Sequence, residues 1–168
     1  MAITDWKDWV PQERAVLVFL QDEEKMLLIH KKRGLGRGKI NAPGGRLEPG
    51  ETWKDAAYRE TKEETGLTVS DLTPSAHLKF QFTNGYSLSA RVFLATGWTG
   101  ALTPCDEADP FWHPANELPW PRMWADDALW LPQVLSGRWV EAQFLFDNEE
   151  MREAQIQVST RPSGPIDG

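Results

Sequence analysis

The feature that most constrains this chain is a short helix with too much like charge on one side. Thr52 can cap it, Asp55 stands three residues on in a near-capping-box relation, and Gly66 is a natural stop, so a helix is expected over 52–65. Glu60, Glu63 and Glu64 sit at i, i+3 and i+4, within an arc of about 100° at 3.6 residues per turn. Like charges at these spacings cost a few tenths of a kcal/mol per pair, and anions in a last turn oppose the negative end of the helix dipole. Taken alone, the three acids read as a solvated acidic face. A hard divalent cation would remove the conflict, because Mg²⁺ takes carboxylate oxygens together with water and substrate phosphate.

The elements around that helix are strands. Ala15-Val16-Leu17-Val18-Phe19-Leu20 is a continuous apolar run of strand formers, expected to be buried on both faces, and Met26–His30 reads as its hairpin partner. Gly34, Gly36 and Gly38 then break the chain into a loop. Two strands are expected near 76–83 and 86–97 around the turn pair Asn84-Gly85, and a short one near Phe111-Trp112 within the Pro-rich segment 104–121. Asp126 or Asp127 can cap a second helix running to about Leu135, and strands near 139–146 and 152–158 close the domain. The order predicts an α+β fold, a mixed central sheet between helices in an α/β/α sandwich. Residues 1–13 read as a lead-in, 14–158 as the domain and 159–168 as a loose tail.

Composition narrows the function classes. A formal net charge of -7 argues against a nucleic-acid polymer as partner. No apolar run approaches the roughly 20 residues of a membrane span, and the N-terminus lacks a basic region followed by an apolar stretch, so neither membrane nor secretory targeting is expected. The single Cys105 excludes an intrachain disulfide and fits a reducing, cytoplasmic compartment. His30, His77 and His113 are isolated and show no ligand spacing. Two further stretches invite a chemical reading. His30 to Lys39 carries five positive charges on a Gly-rich loop, placed to grip phosphates, although a plain solvated loop is the alternative. Nine Trp are present, and Trp124 stands beside Asp126-Asp127. A ring and two crowded acids, one holding a proton, can stack on and read a purine edge. A helix cap with core tryptophans is the plainer reading.

The context of the acids is decisive. Gly45-x5-Glu51-x7-Arg59-Glu60-x2-Glu63-Glu64-x-Gly66-Leu67 resembles the signature of the Nudix hydrolase family, with Thr61 where an aliphatic residue is usual. The resemblance implies the Nudix sandwich and cleavage of a nucleoside diphosphate linked to another moiety. It implies metal ligation by Glu60, Glu63, Glu64 and the carbonyl of Gly45, with Mg²⁺ as cofactor and Mn²⁺ as a substitute. Glu63 and Glu64 join Arg59 and Glu107 as the expected catalytic set. Arg59, with Glu51 as its expected partner, would hold the acids in place, and Glu107 would bind metal or act as base.

Lys31-Lys32-Arg33-Gly34-x-Gly36-x-Gly38-x-x-Asn41, Asp106-Glu107 with Trp112, and Met123-Trp124-x-Asp126-Asp127-x-x-Trp130 are similar to the branch of the family that hydrolyses oxidised purine nucleoside triphosphates. That similarity implies a base site built from Lys31, Asn41, Phe80, Trp124, Asp126 and Asp127, acting on substrates such as 8-oxo-dGTP and 2-hydroxy-dATP. Leu35 and Ala42-Pro43 replace aromatic or glycine positions of the pattern and leave the preferred base open. Diadenosine polyphosphates, ADP-ribose and alkylated purine triphosphates remain as alternative substrates, and a non-catalytic nucleotide-binding module as an alternative class. A monomer is favoured, although the sequence leaves the oligomeric state open.

Overall fold

The computed structural model describes residues 5–161. Eleven strands and two helices follow one another: β1 (Glu13–Asp22), β2 (Lys25–Lys31), β3 (Ile40–Asn41), β4 (Gly44–Arg46), α1 (Trp53–Thr65), β5 (Leu67–Ser70), β6 (Thr73–Phe82), β7 (Ser87–Ala95), β8 (Gly97–Gly100), β9 (Ala108–Pro114), α2 (Asp127–Leu135), β10 (Trp139–Asp147) and β11 (Glu150–Ser159). The main sheet runs β11-β10-β6-β7-β1-β2-β3, with β4 attached to β1 and β9 to β2. Parallel β1–β7 and β10–β6 pairings among antiparallel ones make it mixed, as the sequence predicts. No helix among the described residues is long and apolar enough to cross a membrane.

The sheet separates two apolar cores. Ala56 and Ala57 of α1 pack with Val16, Val18, Leu20 and Phe93 on one face. Trp130, Leu131 and Val134 of α2 pack with Phe19, Leu78, Val92 and Phe144 on the other. Because alternate residues of a strand face opposite sides, β1 feeds both cores. The exception corrects the reading of 15–20 as buried throughout: Ala15 and Leu17 are only partly buried, because they floor an open cleft instead of meeting a helix.

Local chemistry explains the best-defined elements. Thr52 Oγ1 accepts from Asp55 N–H at 3.0 Å and Asp55 Oδ2 accepts from Thr52 N–H at 3.1 Å, a reciprocal capping box. Gly66 ends α1 at φ +83°, donating its N–H to the Lys62 carbonyl. Gly85 turns the β6–β7 hairpin at φ +98°. Three expectations need correction. The strand expected over 86–97 divides at Thr96, because Gly97–Gly100 leaves the main sheet to pair with β5. The strand near Phe111-Trp112 extends over 108–114, paired along the whole of β2. Asp126 occupies the N-cap position of α2 but makes no capping hydrogen bond. The expected lead-in is tied down where it is described: Trp9 Nε1 donates to Gln81 Oε1 at 2.9 Å and Gln12 N–H to Ser87 Oγ. Glu13 already opens β1. Of the expected tail, Ser159 ends β11, Arg161 reaches Ser75 Oγ at 3.2 Å, and 162–168 lie outside the described residues.

Candidate active site

A cleft of about 1100 Å³ lies over the α2-side face of the sheet, large enough for a nucleotide-sized ligand. Glu60, Glu64, Gly45 and Glu107 line it, and so do Lys31, Asn41, Phe80, Trp124, Asp126 and Asp127. Residues far apart in sequence therefore share one cavity, with acids from α1 at one end and aromatic rings with an aspartate pair at the other.

At the acid end, Glu64 is buried to 1% exposure and Oε1 accepts from Gly44 N–H at 2.8 Å. Burial outweighs that bond and pushes its carboxyl up to about 7. Burial also raises Glu60, against the pull of the Arg59 guanidinium. A Cβ on Gly45 would overlap the Glu60 carboxylate, so only glycine lets this backbone come so close.

Arg59 organises the acids. Its Nε and Nη2 grip Glu51 at 2.7 and 2.8 Å, Nη1 reaches Glu60 at 2.6 Å and Glu63 at 3.2 Å, and Nη2 also donates to the Arg46 carbonyl. The guanidinium hydrogen bonds hold Glu51 down at about 2. The acids are not gathered as one cluster, however. Glu63 is mostly exposed and turned to Arg59, and Glu107 pairs with Arg33 at 3.0 Å. Among the described residues no three His, Cys, Asp or Glu side chains converge on one point.

At the other end, Asp126 and Asp127 are 2% and 4% exposed. Asp126 Oδ2 accepts from Trp130 Nε1 at 2.7 Å, while Asp126 Oδ1 and Asp127 Oδ2 have no partner. Burial raises both, Asp126 to about 6, and the adjacent Asp126 charge lifts Asp127 further. Two buried carboxyls in contact resist ionising together, and Asp126, already an acceptor for Trp130, is the member that carries charge more easily. Asn41 Oδ1 accepts from the Ala42 N–H. Phe80 stacks on Phe144 at 5.4 Å. Trp124 stands edge-on to Phe82 and Phe146, with the Lys39 ammonium 5.2 Å from its ring centre.

Several cleft residues escaped sequence reasoning. Phe82 extends the aromatic wall, with the buried Phe146 packed behind it and Trp124, and the alternation Phe80-x-Phe82 and Phe144-x-Phe146 is the signal that marks them. Lys39 anchors the basic loop to the β10–β11 turn through Glu149 at 3.3 Å. Glu13, Arg46 and Tyr86 also line the cleft, and nothing local in the sequence links them.

The NUDIX domain profile matches residues 11–134, which contain the α1 acids, Gly45 and the aspartate pair. The chain is a Nudix hydrolase. It is 38% identical over 136 residues to the oxidized purine nucleoside triphosphate hydrolase of Danio rerio, covering 80% of this chain and 87% of that one. To the mouse (Mus musculus) protein of the same name it is 34% identical over 135 residues, covering 80% and 86%. The crystal structure of a MutT protein from Bacillus halodurans superposes with a TM-score of 0.77 at 26% identity, covering 86% of this chain and 97% of the other. This Nudix hydrolase is thus closely related to proteins named as oxidized purine nucleoside triphosphate hydrolases.

Nudix hydrolases generally use divalent metal ions, and the acid end suits one. Glu60 and Glu64 are buried carboxylates whose proton affinity is raised by burial, Glu60 despite its ion pair with Arg59. The Gly45 backbone lies against Glu60 where no side chain fits. Mg²⁺ needs only one or two carboxylates, the remaining positions going to water and phosphate, so the absence of a three-acid cage does not count against it.

Proposed function

We propose that this Nudix hydrolase is a Mg²⁺-dependent pyrophosphohydrolase that cleaves oxidised purine nucleoside triphosphates, such as 8-oxo-dGTP and 2-hydroxy-dATP, to monophosphate and pyrophosphate. The observation that carries the base assignment is the buried Asp126–Asp127 pair, with one unpartnered oxygen on each. An ionised Asp126 accepts and a protonated Asp127 donates, which matches the mixed donor and acceptor edge of an oxidised purine. Trp124 and Phe80 bound the base on its faces, and Asn41 and Lys31 complete the rim. Reversal of the donor and acceptor roles within the pair accommodates both oxidised guanine and oxidised adenine.

Glu60, Glu64 and the Gly45 carbonyl are the groups proposed to hold the metal, with Glu107 joining once Arg33 turns to phosphate and Glu63 joining once its exposed side chain swings from Arg59. When bound, the metal neutralises polyphosphate charge and lowers the pKa of a water for in-line attack on phosphorus. Arg59 keeps Glu60 oriented through its grip on Glu51. Glu64 is held in place beside the proposed metal by the Gly44 N–H. Lys32 and Arg33 stand at the rim on exposed ion pairs with Asp109 and Glu107, which exchange for phosphate at little cost. A monomer acting in the cytoplasm, without nucleic-acid or membrane partners, completes the reading. The acidic charge and the single cysteine support it.

The test is a panel of modified and normal purine triphosphates with Mg²⁺, products resolved and ranked by kcat/KM. Pyrophosphate is the expected product, and orthophosphate release or no turnover would overturn the assignment. Asp126→Asn should lower kcat/KM for 8-oxo-dGTP by about ten- to a hundredfold, the worth of a hydrogen bond to a charged group. An enzyme that reads only phosphates would hardly respond.

A further inference from the structure

Between the two ends of the cleft lies a stretch of floor with a polar cluster that the proposed chemistry does not use. Strand register locates it. Phe80 of the aromatic wall pairs with Leu88, and Leu88 pairs with Glu13, so Glu13 stands two strand spacings, about 10 Å, from that wall. Two residues along β1, Ala15 pairs with Arg46, the residue after Gly45. Directly paired residues project from the same face of a sheet. The floor therefore leads from the base end, past Glu13, to the phosphate end.

Whatever joins a base to its phosphates must cross this floor, and in a nucleotide that is the sugar. The surrounding floor is apolar, with Ala15, Leu88 and Ala90 beside Glu13. Glu13 is held from two sides: Arg46 Nη1 donates to Oε2 at 2.7 Å, and the Tyr86 hydroxyl also hydrogen-bonds to the carboxylate. An ionised carboxylate has about four acceptor sites, so two donors leave capacity for two more. A negative group on the path of a polyphosphate opposes binding unless it meets hydrogen-bond donors there. The vicinal hydroxyls of ribose are such donors.

We propose that Glu13, oriented by Arg46 and Tyr86, accepts the 2′- and 3′-hydroxyls of the substrate sugar, so that the cleft prefers oxidised purine ribonucleotides to their 2′-deoxy counterparts. The inference rests on the proposed assignment of base and phosphate ends, and names the sugar class that fits between them. A purely structural pair, in which Arg46 and Glu13 tie β4 to β1, would affect ribo- and deoxyribonucleotides alike.

The experiment compares the two sugars directly. Binding of 8-oxo-GMP and 8-oxo-dGMP to the full chain is measured by calorimetry, and kcat/KM is measured for the two triphosphates with Mg²⁺. The ribonucleotide should be favoured by roughly ten- to a hundredfold, the range for one hydrogen bond to a charged acceptor. Glu13→Gln should bring that ratio close to one. Tyr86→Phe, which leaves the carboxylate in place but less firmly oriented, should bring it part of the way and serves if Glu13→Gln does not fold. Equal use of the two sugars by the wild type, a deoxyribose preference, or an unchanged ratio in both variants would overturn the proposal. Sugar-selective binding of the monophosphates without turnover of either triphosphate would uphold the role of Glu13 and refute the hydrolytic reading instead.

Discussion

Arg59 shows how one side chain can arrange a site it does not line. Its nitrogens reach Glu51 twice, Glu60, Glu63 and the Arg46 carbonyl, a planar fork that a lysine ammonium cannot reproduce. Arg59→Lys should keep the charge but lose the orientation of Glu60, lowering kcat/KM by about ten- to a hundredfold, as for other residues that position metal ligands. A steady-state assay with a parallel thermal melt checks this, and full activity in a folded variant would contradict a positioning role. Glu64→Gln should lose most of kcat while the melting temperature holds or rises, since a neutral amide relieves a buried charge. Thr61, on the same helix, is fully buried where the family pattern has an aliphatic residue. Its hydroxyl donates back to the Ala57 carbonyl at 2.7 Å, so the polar group is satisfied within the helix. Thr61→Val should change stability by about 1 kcal/mol or less.

Among the elements, β4 is the shortest route from backbone geometry to chemistry. A Cβ on Gly44 would overlap the Val16 carbonyl of β1, whereas one on Gly45 would overlap only the Glu60 side chain. The two glycines should therefore fail differently. Gly44→Ala should destabilise the fold by several kcal/mol through the β1–β4 pairing. Gly45→Ala should fold, with Glu60 displaced and activity lost; circular dichroism and assay on both variants separate the cases. The sequence announces both glycines but not this division of labour, which depends on what each faces. The same distinction decides what was legible elsewhere. Helix α1 could be read because its cap, stop and acids are all local. The β5–β8 ribbon could not, because Leu67–Ser70 and Gly97–Gly100 are short and meet only after the chain has travelled through β6 and β7. For Asp126 and Asp127 a helix cap is the plainer reading in sequence. Asp126 makes no capping bond, its Oδ2 taking the Trp130 N–H instead, a contact that helical spacing allows but does not require.

Across the whole molecule, the cleft sets stability against function, and pH exposes the balance. Burial raises Glu60, Glu64, Asp126 and Asp127, with Glu64 up to about 7 and Asp126 to about 6. Unfolded carboxyls titrate near pH 4 (roughly), so above that value the folded chain keeps protons that the unfolded chain has released. Stability must then fall as pH rises through the window up to about 7, with Glu64 alone worth about 3 kcal/mol. His77 acts in the opposite sense. Burial, with Arg91 and Lys79 nearby and only Glu141 opposing them, pushes it down to about 4, so protonation favours the unfolded chain as pH falls from about 6.5 towards 4. Its partial exposure reduces that contribution to about 2 kcal/mol. Glu51, held down at about 2 by Arg59, adds a further loss below roughly pH 4.5. Without divalent cation, four raised carboxyls outweigh one histidine, so the melting temperature should be highest near pH 4 (roughly) and decline from there towards pH 7. His77→Gln can keep a hydrogen bond to Ser89 while removing the titration, so it should raise the melting temperature relative to wild type at pH 4.5 more than at pH 8. Mg²⁺ should recover the alkaline loss, since a cation compensates the charges that burial leaves unpaired. Melts across pH, with and without Mg²⁺, check all three expectations. A wild type that melts higher at pH 8 than at pH 5.5 in the absence of metal would show that these acids do not carry buried charge.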